Sequence, residues 1–160
     1  MRKKSVFFSF QYSNDVFRVQ LIRNIGAIDK NTLVNPNEWE KIKALGDRSI
    51  KNWIDNNMKY KNCVVVLIGE HTHNSKWVDY EIRKAWDSYK PVIGIYIHNV
   101  KCPRNGFSKK GRNPFSSIPL TSGGYLSDYV PCYDPNPHRA YIDIKENIVS
   151  WIETAAKRGH

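Results

Sequence analysis

Three short apolar runs are spaced along the chain as the strands of a parallel sheet would be. They are residues 5–10 (SVFFSF), 63–68 (CVVVLI) and 92–97 (VIGIYI). Each run is mostly apolar and lacks the alternation that is typical of a strand with one face in water. Continuous runs of this length predict strands that are buried on both faces.

Helical periodicity fills the stretch between the first two runs. Asn14 or Asp15 can cap a first helix that ends near Gly26. A second helical region extends over about residues 36–58, with a break expected at Gly46. The chain therefore alternates a strand with helices before it returns to the next buried strand.

Two more helices are predicted further along. Ser75 caps the third helix, and the last covers about residues 141–156. The apolar positions of the third helix fall on one stripe: Val78, Ile82, Ala85, Trp86 and Tyr89. Strands that alternate with helices predict an α/β fold with an open parallel sheet flanked by helices, of the flavodoxin-like kind.

We expect one domain covering residues 1–160, with two segments that the pattern describes poorly. Residues 32–34 (TLV) predict either a short second strand or a loop. Residues 98–140 are rich in Pro, Gly, Asn and Ser and predict a long irregular insertion. So long a connection inside a domain is unusual and is often functional.

The composition gives the chain a basic net charge and bears on which partners it can have: nucleic acid, metal ions or a membrane. The 25 Lys and Arg against 15 Asp and Glu give a net charge of +10, which attracts polyanions. The charges are scattered and no nucleic-acid-binding motif accompanies them, so nucleic acid is not the expected partner. The three cysteines form no CxxC pair, which predicts reduced thiols and no metal site. No apolar stretch approaches the ~20 residues that span a bilayer, and we expect a cytoplasmic protein without a membrane partner.

The ligand crevice of an open parallel sheet lies beyond the carboxyl ends of its strands. Segments 11–15 and 69–77 and the loop after Ile97 should meet there. The first segment has no glycine, which excludes the Walker phosphate loop and the dinucleotide-binding fingerprint.

Trp77 and Glu81 are the residues that suggest chemistry at this edge. Their separation of four places them on one face of a helix. The ring could stack on a cationic heterocycle while the carboxylate faces developing positive charge. Spacing alone favours the more ordinary interpretation, in which Trp77 is a packing residue and Glu81 a solvated surface residue.

Several sequence motifs favour the catalytic interpretation of Trp77 and Glu81 over the ordinary one. SVFFSFQYSND resembles the first conserved box of TIR domains, and NSKWVDYEI resembles the Ser-x-Trp-x-x-x-Glu segment of enzymatic TIR domains. The detailed likeness is to the TIR-like family typified by the TIR proteins of Thoeris antiphage defence. It includes Arg23-Asn24, VIGIYIHN and KGRNPF, and covers about residues 4–118.

The resemblance implies a TIR-like fold and an enzyme that cleaves the nicotinamide–ribose bond of NAD+. It further implies a cyclic ADP-ribose isomer as the product, which signals to a separate effector protein in bacterial antiphage immunity. NAD+ is then consumed as the substrate, so no cofactor is expected. Self-association would follow the habit of most TIR domains, and the sequence leaves it open.

The resemblance also implies roles for particular residues. Glu81 matches the essential glutamate, and Trp77 matches the aromatic residue one turn before it. Ser9, Phe10 and Tyr12 match the loop after the first strand that contacts the nucleotide. Tyr12 and Trp39 are candidates to shape the pocket for cyclisation, with core packing as the alternative for both and a hydrophobic staple at a helix N-terminus as a further alternative for Trp39. Arg48 and Arg112 are candidates for the substrate's pyrophosphate, although no motif anchors either one.

Two other functions remain open at this stage. A non-catalytic TIR interaction module would share the fold and would not need the carboxylate of Glu81. A basic nucleic-acid-binding domain would bind with steep salt dependence. The Trp77–Glu81 pair favours the enzyme over the interaction module, and the scattered charge disfavours the nucleic-acid-binding domain.

Overall fold

The strands form one parallel sheet in chain order. The computed structural model describes residues 4–26, 28, 36–102 and 106–158, without the side chains of 13, 14, 36–39 and 158. Its strands are hydrogen-bonded in the order β1-β2-β3-β4. These strands are β1 (Val6–Ser9), β2 (Cys63–Ile68), β3 (Val92–Tyr96) and β4 (Cys132–Tyr133). All three pairings are parallel, and every residue of β1, β2 and β3 is buried. The prediction of a parallel sheet with doubly buried strands is confirmed.

Five helices connect and cover the strands in the described part of the chain. They are α1 (Tyr12–Arg23), α2 (Pro36–Ala44), α3 (Asp47–Met58), α4 (Lys76–Asp87) and α5 (Ala140–Arg158). The region predicted as helical over 36–58 is two helices, which meet at Gly46 with a φ of 97°. A positive φ favours glycine and stops the helix at the predicted position.

The first helix begins earlier than predicted, which corrects the capping role given to Asn14 or Asp15. Asp15 lies inside the first turn of α1, where its N–H donates to the carbonyl oxygen of Gln11 at 3.1 Å. The turn after β1 is so short that α1 begins at Tyr12. The Asp15 side chain is fully buried and serves a different purpose, described below.

The two faces of the sheet carry separate cores because side chains alternate along each strand. Alternate β2 residues Cys63, Val65 and Leu67 pack with α1 and α5. The intervening residues Val64, Val66 and Ile68 pack with α3 and α4. Helices on both faces of a parallel sheet define the α/β architecture that the sequence predicted.

The poorly predicted segments have distinct outcomes. Residues 32–34 lie outside the described residues, whereas Ile28 forms a parallel bridge with Lys4 beside β1. The segment 98–140 contains β4 and a 3₁₀ turn, Leu126–Asp128. It also contributes Phe115, which is fully buried against the α4 side of the sheet. This segment therefore forms part of the core and borders the carboxyl edge. Within the described ranges, every helix is too short or too polar to cross a bilayer.

Candidate active site

Helix α4 holds Glu81 against the sheet. The helix begins where the sequence predicted, because the Ser75 hydroxyl accepts a hydrogen bond from the Val78 N–H at 3.2 Å. Val78 and Ile82 on the inner stripe are almost wholly buried in the core. Glu81 lies beside that stripe and is 8% exposed. The ordinary interpretation, a solvated surface glutamate, is therefore wrong.

The carboxyl of Glu81 meets the end of the first strand. Ser9 is the last residue of β1 and is fully buried, and its hydroxyl donates to Glu81 Oε1 at 2.7 Å. Burial raises the pKa of Glu81 to about 8, while the hydrogen bond from Ser9 lowers it. A strongly raised carboxyl pKa at the ligand edge of an α/β sheet is typical of a functional group. This pair defines the candidate site.

Trp77 precedes Glu81 by one turn of α4. It is partly buried and packs against the core on the α3 and α4 side. Its ring lies edge-on to Tyr80 with centroids 6.1 Å apart, and Lys76 Nζ lies 4.9 Å from the ring centroid. Trp77 thus has both a packing role and a partly exposed ring. Its proposed contact with substrate stays a prediction.

The aromatic residues after β1 form a second element of the site. Phe10 is partly buried and stacks on Tyr12, with ring centroids 5.7 Å apart and planes 26° apart. They follow Ser9 directly, so the stack lies at the carboxyl end of β1. Trp39 belongs to α2, but its side chain lies outside the described residues. Its role in shaping a pocket stays a prediction.

Three segments of the crevice are in close contact around Gly69, which follows β2. A Cβ at Gly69 would lie 2.1 Å from Asp15 Oδ2, and a Cβ at Gly111 would lie 2.0 Å from the Gly69 carbonyl oxygen. Only glycine allows such approaches at either position. The start of α1, the end of β2 and the loop around Gly111 therefore meet, as the sequence predicted for an open parallel sheet.

A buried arginine fixes this convergence and was missed in the sequence. Arg18 is 2% exposed, and its Nη1 lies 3.6 Å from Asp15 Oδ1. Its Nε and Nη2 donate at 2.9 Å to the carbonyl oxygens of Val100 and Gly106. The signal was present in α1, because Arg18 lies directly beside the apolar stripe that includes Val19 and Ile22. Arg18 joins α1 to the chain that follows β3.

Two other polar residues near this edge, Asp79 and His71, form ion pairs with neighbouring residues. Asp79 pairs with Arg83 at 2.8 Å on the outer side of α4. His71 pairs with Glu70 at 2.8 Å and is exposed. No group of three or more His, Cys, Asp or Glu side chains suited to a metal ion occurs among the residues that the structure describes.

At the far end of the same edge, Lys110 joins the loop to β4. Its Nζ donates to Asp134 at 2.8 Å and lies 4.5 Å from the ring centroid of Tyr96, the last residue of β3. The hydrogen bond from Asp134 raises the pKa of Lys110. Two residues beyond Lys110, Arg112 is exposed. The loop thus brings basic side chains to the carboxyl edge.

The parallel sheet, the short turn after β1 and the buried glutamate on α4 belong to an α/β protein and are features expected of the TIR-like class. A family model described as "Thoeris protein ThsB, TIR-like domain" matches residues 7–102. The chain belongs to this family. The match begins within β1 and extends past β3, and its range includes Ser9, Trp77 and Glu81.

A curated relative gives the same family. A protein of Bacillus cereus (strain MSX-D12) named "Putative cyclic ADP-D-ribose synthase ThsB1" is 35% identical over 120 residues. The alignment covers 72% of this chain and 62% of the relative. The chain therefore matches less than two thirds of the relative's length.

Proposed function

We propose that this protein cleaves NAD+ between nicotinamide and ribose and closes the remainder into a cyclic ADP-ribose isomer. The observation that carries the proposal is the buried Glu81 carboxyl, held by Ser9 at the carboxyl edge of the sheet. The name of the Bacillus cereus relative, "Putative cyclic ADP-D-ribose synthase ThsB1", supports the same reaction. The product would signal to a separate effector protein in antiphage defence.

The bond that breaks joins ribose C1′ to the pyridinium nitrogen. Its electron pair goes to that nitrogen, so nicotinamide leaves as a neutral molecule and needs no general acid. The ribose acquires oxocarbenium character, as in glycoside hydrolysis. One carboxylate near C1′ can stabilise this charge, which is the role we assign to Glu81.

Ser9 gives the two carboxyl oxygens of Glu81 different surroundings. The Ser9 hydroxyl donates to Oε1, and we assign the contact with the ribose to Oε2. With a pKa of about 8, much of Glu81 is protonated at neutral pH in the protein without substrate. The positive nicotinamide ring favours the ionised form. Binding of NAD+ would therefore lower the pKa of Glu81 and ionise its carboxyl before the bond to nicotinamide breaks.

The surrounding residues have roles in the same proposal. Trp77 would stack on the nicotinamide ring, and the Phe10–Tyr12 stack would contact the nucleotide. Arg112 is the candidate for the pyrophosphate, since it is exposed beside the Gly111 contact. Tyr12 and Trp39 would hold the adenosine half folded back toward C1′. A ring nitrogen or hydroxyl of that half then forms the new bond, and an attacking hydroxyl loses its proton to Glu81 or water.

The reaction products test this proposal. Purified protein is incubated with NAD+, with and without lysate from phage-infected cells, and the products are followed by mass spectrometry. We expect equal amounts of nicotinamide and a product one water lighter than ADP-ribose. Linear ADP-ribose alone would reject cyclisation. Unchanged NAD+ under both conditions would reject the enzyme and favour an interaction module.

A further inference from the structure

An open groove lies at the edge of the sheet opposite Glu81. Here the turns that lead into β2 and β3 are joined by Lys90, whose Nζ donates to the carbonyl oxygens of Lys61 and Lys59 at 2.8 and 3.3 Å. The groove has a volume of about 470 Å³ and lies between the C-terminal ends of α3 and α4. Its lining includes Lys59, Lys84, Lys90, Asp55, Met58 and Ser88.

The charge of this groove is positive. Three lysines line it against one aspartate, and Asp55 already accepts a hydrogen bond from the Tyr80 hydroxyl at 2.9 Å. Lys84 is exposed and forms no ion pair within the described part of the chain. Neither Glu81 nor the rest of the candidate active site uses these lysines. An anionic partner would find unneutralised charge here.

Two exposed tyrosines adjoin the groove. Tyr60 follows Lys59 and is 79% exposed, and Tyr89 lies between Ser88 and Lys90 and is 77% exposed. Lys59 Nζ lies 5.4 Å from the ring centroid of Tyr60. Tyrosine is enriched in protein interfaces because a rigid ring offers contact area together with a polar hydroxyl.

The backbone of Tyr89 is strained. Helix α4 ends with two hydrogen bonds, from the Tyr89 N–H to the Trp86 carbonyl at 3.1 Å and from the Lys90 N–H to the Ala85 carbonyl at 3.0 Å. This closure requires a left-handed residue, which is usually glycine. Tyr89 occupies it with a φ of 60°. A bulky residue held in this conformation and exposed to solvent indicates a role outside folding.

We propose that this groove, lined by Lys59, Lys84 and Lys90 and flanked in the chain by Tyr60 and Tyr89, docks an acidic peptide segment of a partner protein. Its lysines pair with carboxylates, and the two rings cover the apolar parts of the peptide. The C-terminal ends of α3 and α4 carry partial negative charge. They disfavour a nucleic-acid backbone charged at every nucleotide, whereas a peptide can space its carboxylates. The net charge of +10 disfavours a second copy of the chain.

Peptide binding tests the groove without reference to NAD+. The probe is a fluorescein-labelled peptide with spaced carboxylates, Gly-Glu-Ser-Trp-Ser-Glu-Gly, and binding is followed by fluorescence anisotropy at low and physiological salt. The doubly substituted variant Lys59→Glu/Lys84→Glu is compared with Lys145→Glu/Lys157→Glu, which reverses two exposed lysines of α5. We expect the groove variant to weaken binding about tenfold and the α5 variant to leave it nearly unchanged.

Tyr89→Gly separates recognition from folding. Glycine suits the left-handed position, so the thermal midpoint should stay the same or rise, while peptide binding should weaken about fivefold or more. Absence of binding to the wild type, or equal weakening in the α5 variant, would overturn the proposal. If a charge-matched oligothymidylate bound more tightly than the peptide, the groove would be assigned to nucleic acid, and the proposal of a peptide partner would be overturned as well.

Discussion

The hydrogen bond from Ser9 to Glu81 can be removed with little change in volume. Ser9→Cys replaces the hydroxyl with a thiol, which is a weak donor. Ser9→Thr keeps the hydroxyl and serves as the matched control. Both substitutions lie at a fully buried position, so thermal unfolding must first show that each variant is folded.

The expected change in the pKa of Glu81 can be worked out because the hydrogen bond from Ser9 has a charged acceptor, the Glu81 carboxylate. A hydrogen bond to a charged group contributes about 1.5–3 kcal/mol, which corresponds to about 1–2 in pKa. Because the Ser9 bond lowers the pKa of Glu81, its loss should raise that pKa above the present value of about 8. In the proposed mechanism the active form is the carboxylate, so activity should rise with pH through the Glu81 pKa. At pH 7.5 and low NAD+, where the rate depends on the ionisation of the protein without substrate, the Ser9→Cys variant should therefore be slower by roughly 8- to 75-fold.

The assay is nicotinamide release measured from pH 6 to pH 10 at low and saturating NAD+. We expect the rising limb of the Ser9→Cys profile to move to higher pH and the variant to recover activity at the alkaline end. The Ser9→Thr profile should stay close to the wild type. An equal loss at every pH would refute the reasoning, because it would indicate a structural role for Ser9 and no influence on ionisation.

The network around Gly69 gives two further predictions. Arg18→Ala removes a buried ion pair with Asp15 and two hydrogen bonds to backbone carbonyl oxygens. The free energy of unfolding in urea should therefore fall by about 3–5 kcal/mol, against at most ~1 kcal/mol for the exposed Arg83→Ala. Equal effects of the two substitutions would contradict a buried ion pair. Gly111→Ala places a methyl group against the Gly69 carbonyl oxygen and should displace the loop around residue 111. We expect the KM for NAD+ to rise several-fold in steady-state kinetics. An unchanged KM would show that this loop does not contribute to substrate binding.

The fold was largely predictable because its signals are local. Residues 63–68 are apolar at every position, and such a run can form only a strand buried on both faces or a piece of buried helix. Ser75 could be identified as a cap because its partner, the Val78 N–H, is three residues away. By contrast, β4 has two residues, Cys132–Tyr133, and is too short to produce a periodic pattern.

The candidate site was predictable only in part, because its contacts join distant positions. Ser9 and Glu81 are 72 residues apart, and no spacing rule connects the end of a strand with the second turn of a later helix. Family resemblance singled out both residues, but it gave Ser9 a contact with the nucleotide. The hydrogen bond to Glu81 suggests that Ser9 positions the carboxyl. Arg18 was missed because its two carbonyl partners lie more than 80 residues further along the chain.

The most direct measurement is the rate of nicotinamide release from NAD+ by Glu81→Gln beside Asp79→Asn. Both substitutions replace a carboxylate of α4 with an amide of the same shape, but Asp79 lies on the outer side and pairs with Arg83. We expect Glu81→Gln to lose at least about 100-fold in rate while remaining folded, since one well-placed charge-stabilising group commonly contributes that much. Asp79→Asn should keep the wild-type rate. A folded Glu81→Gln protein that releases nicotinamide as fast as the wild type would contradict the catalytic role of Glu81.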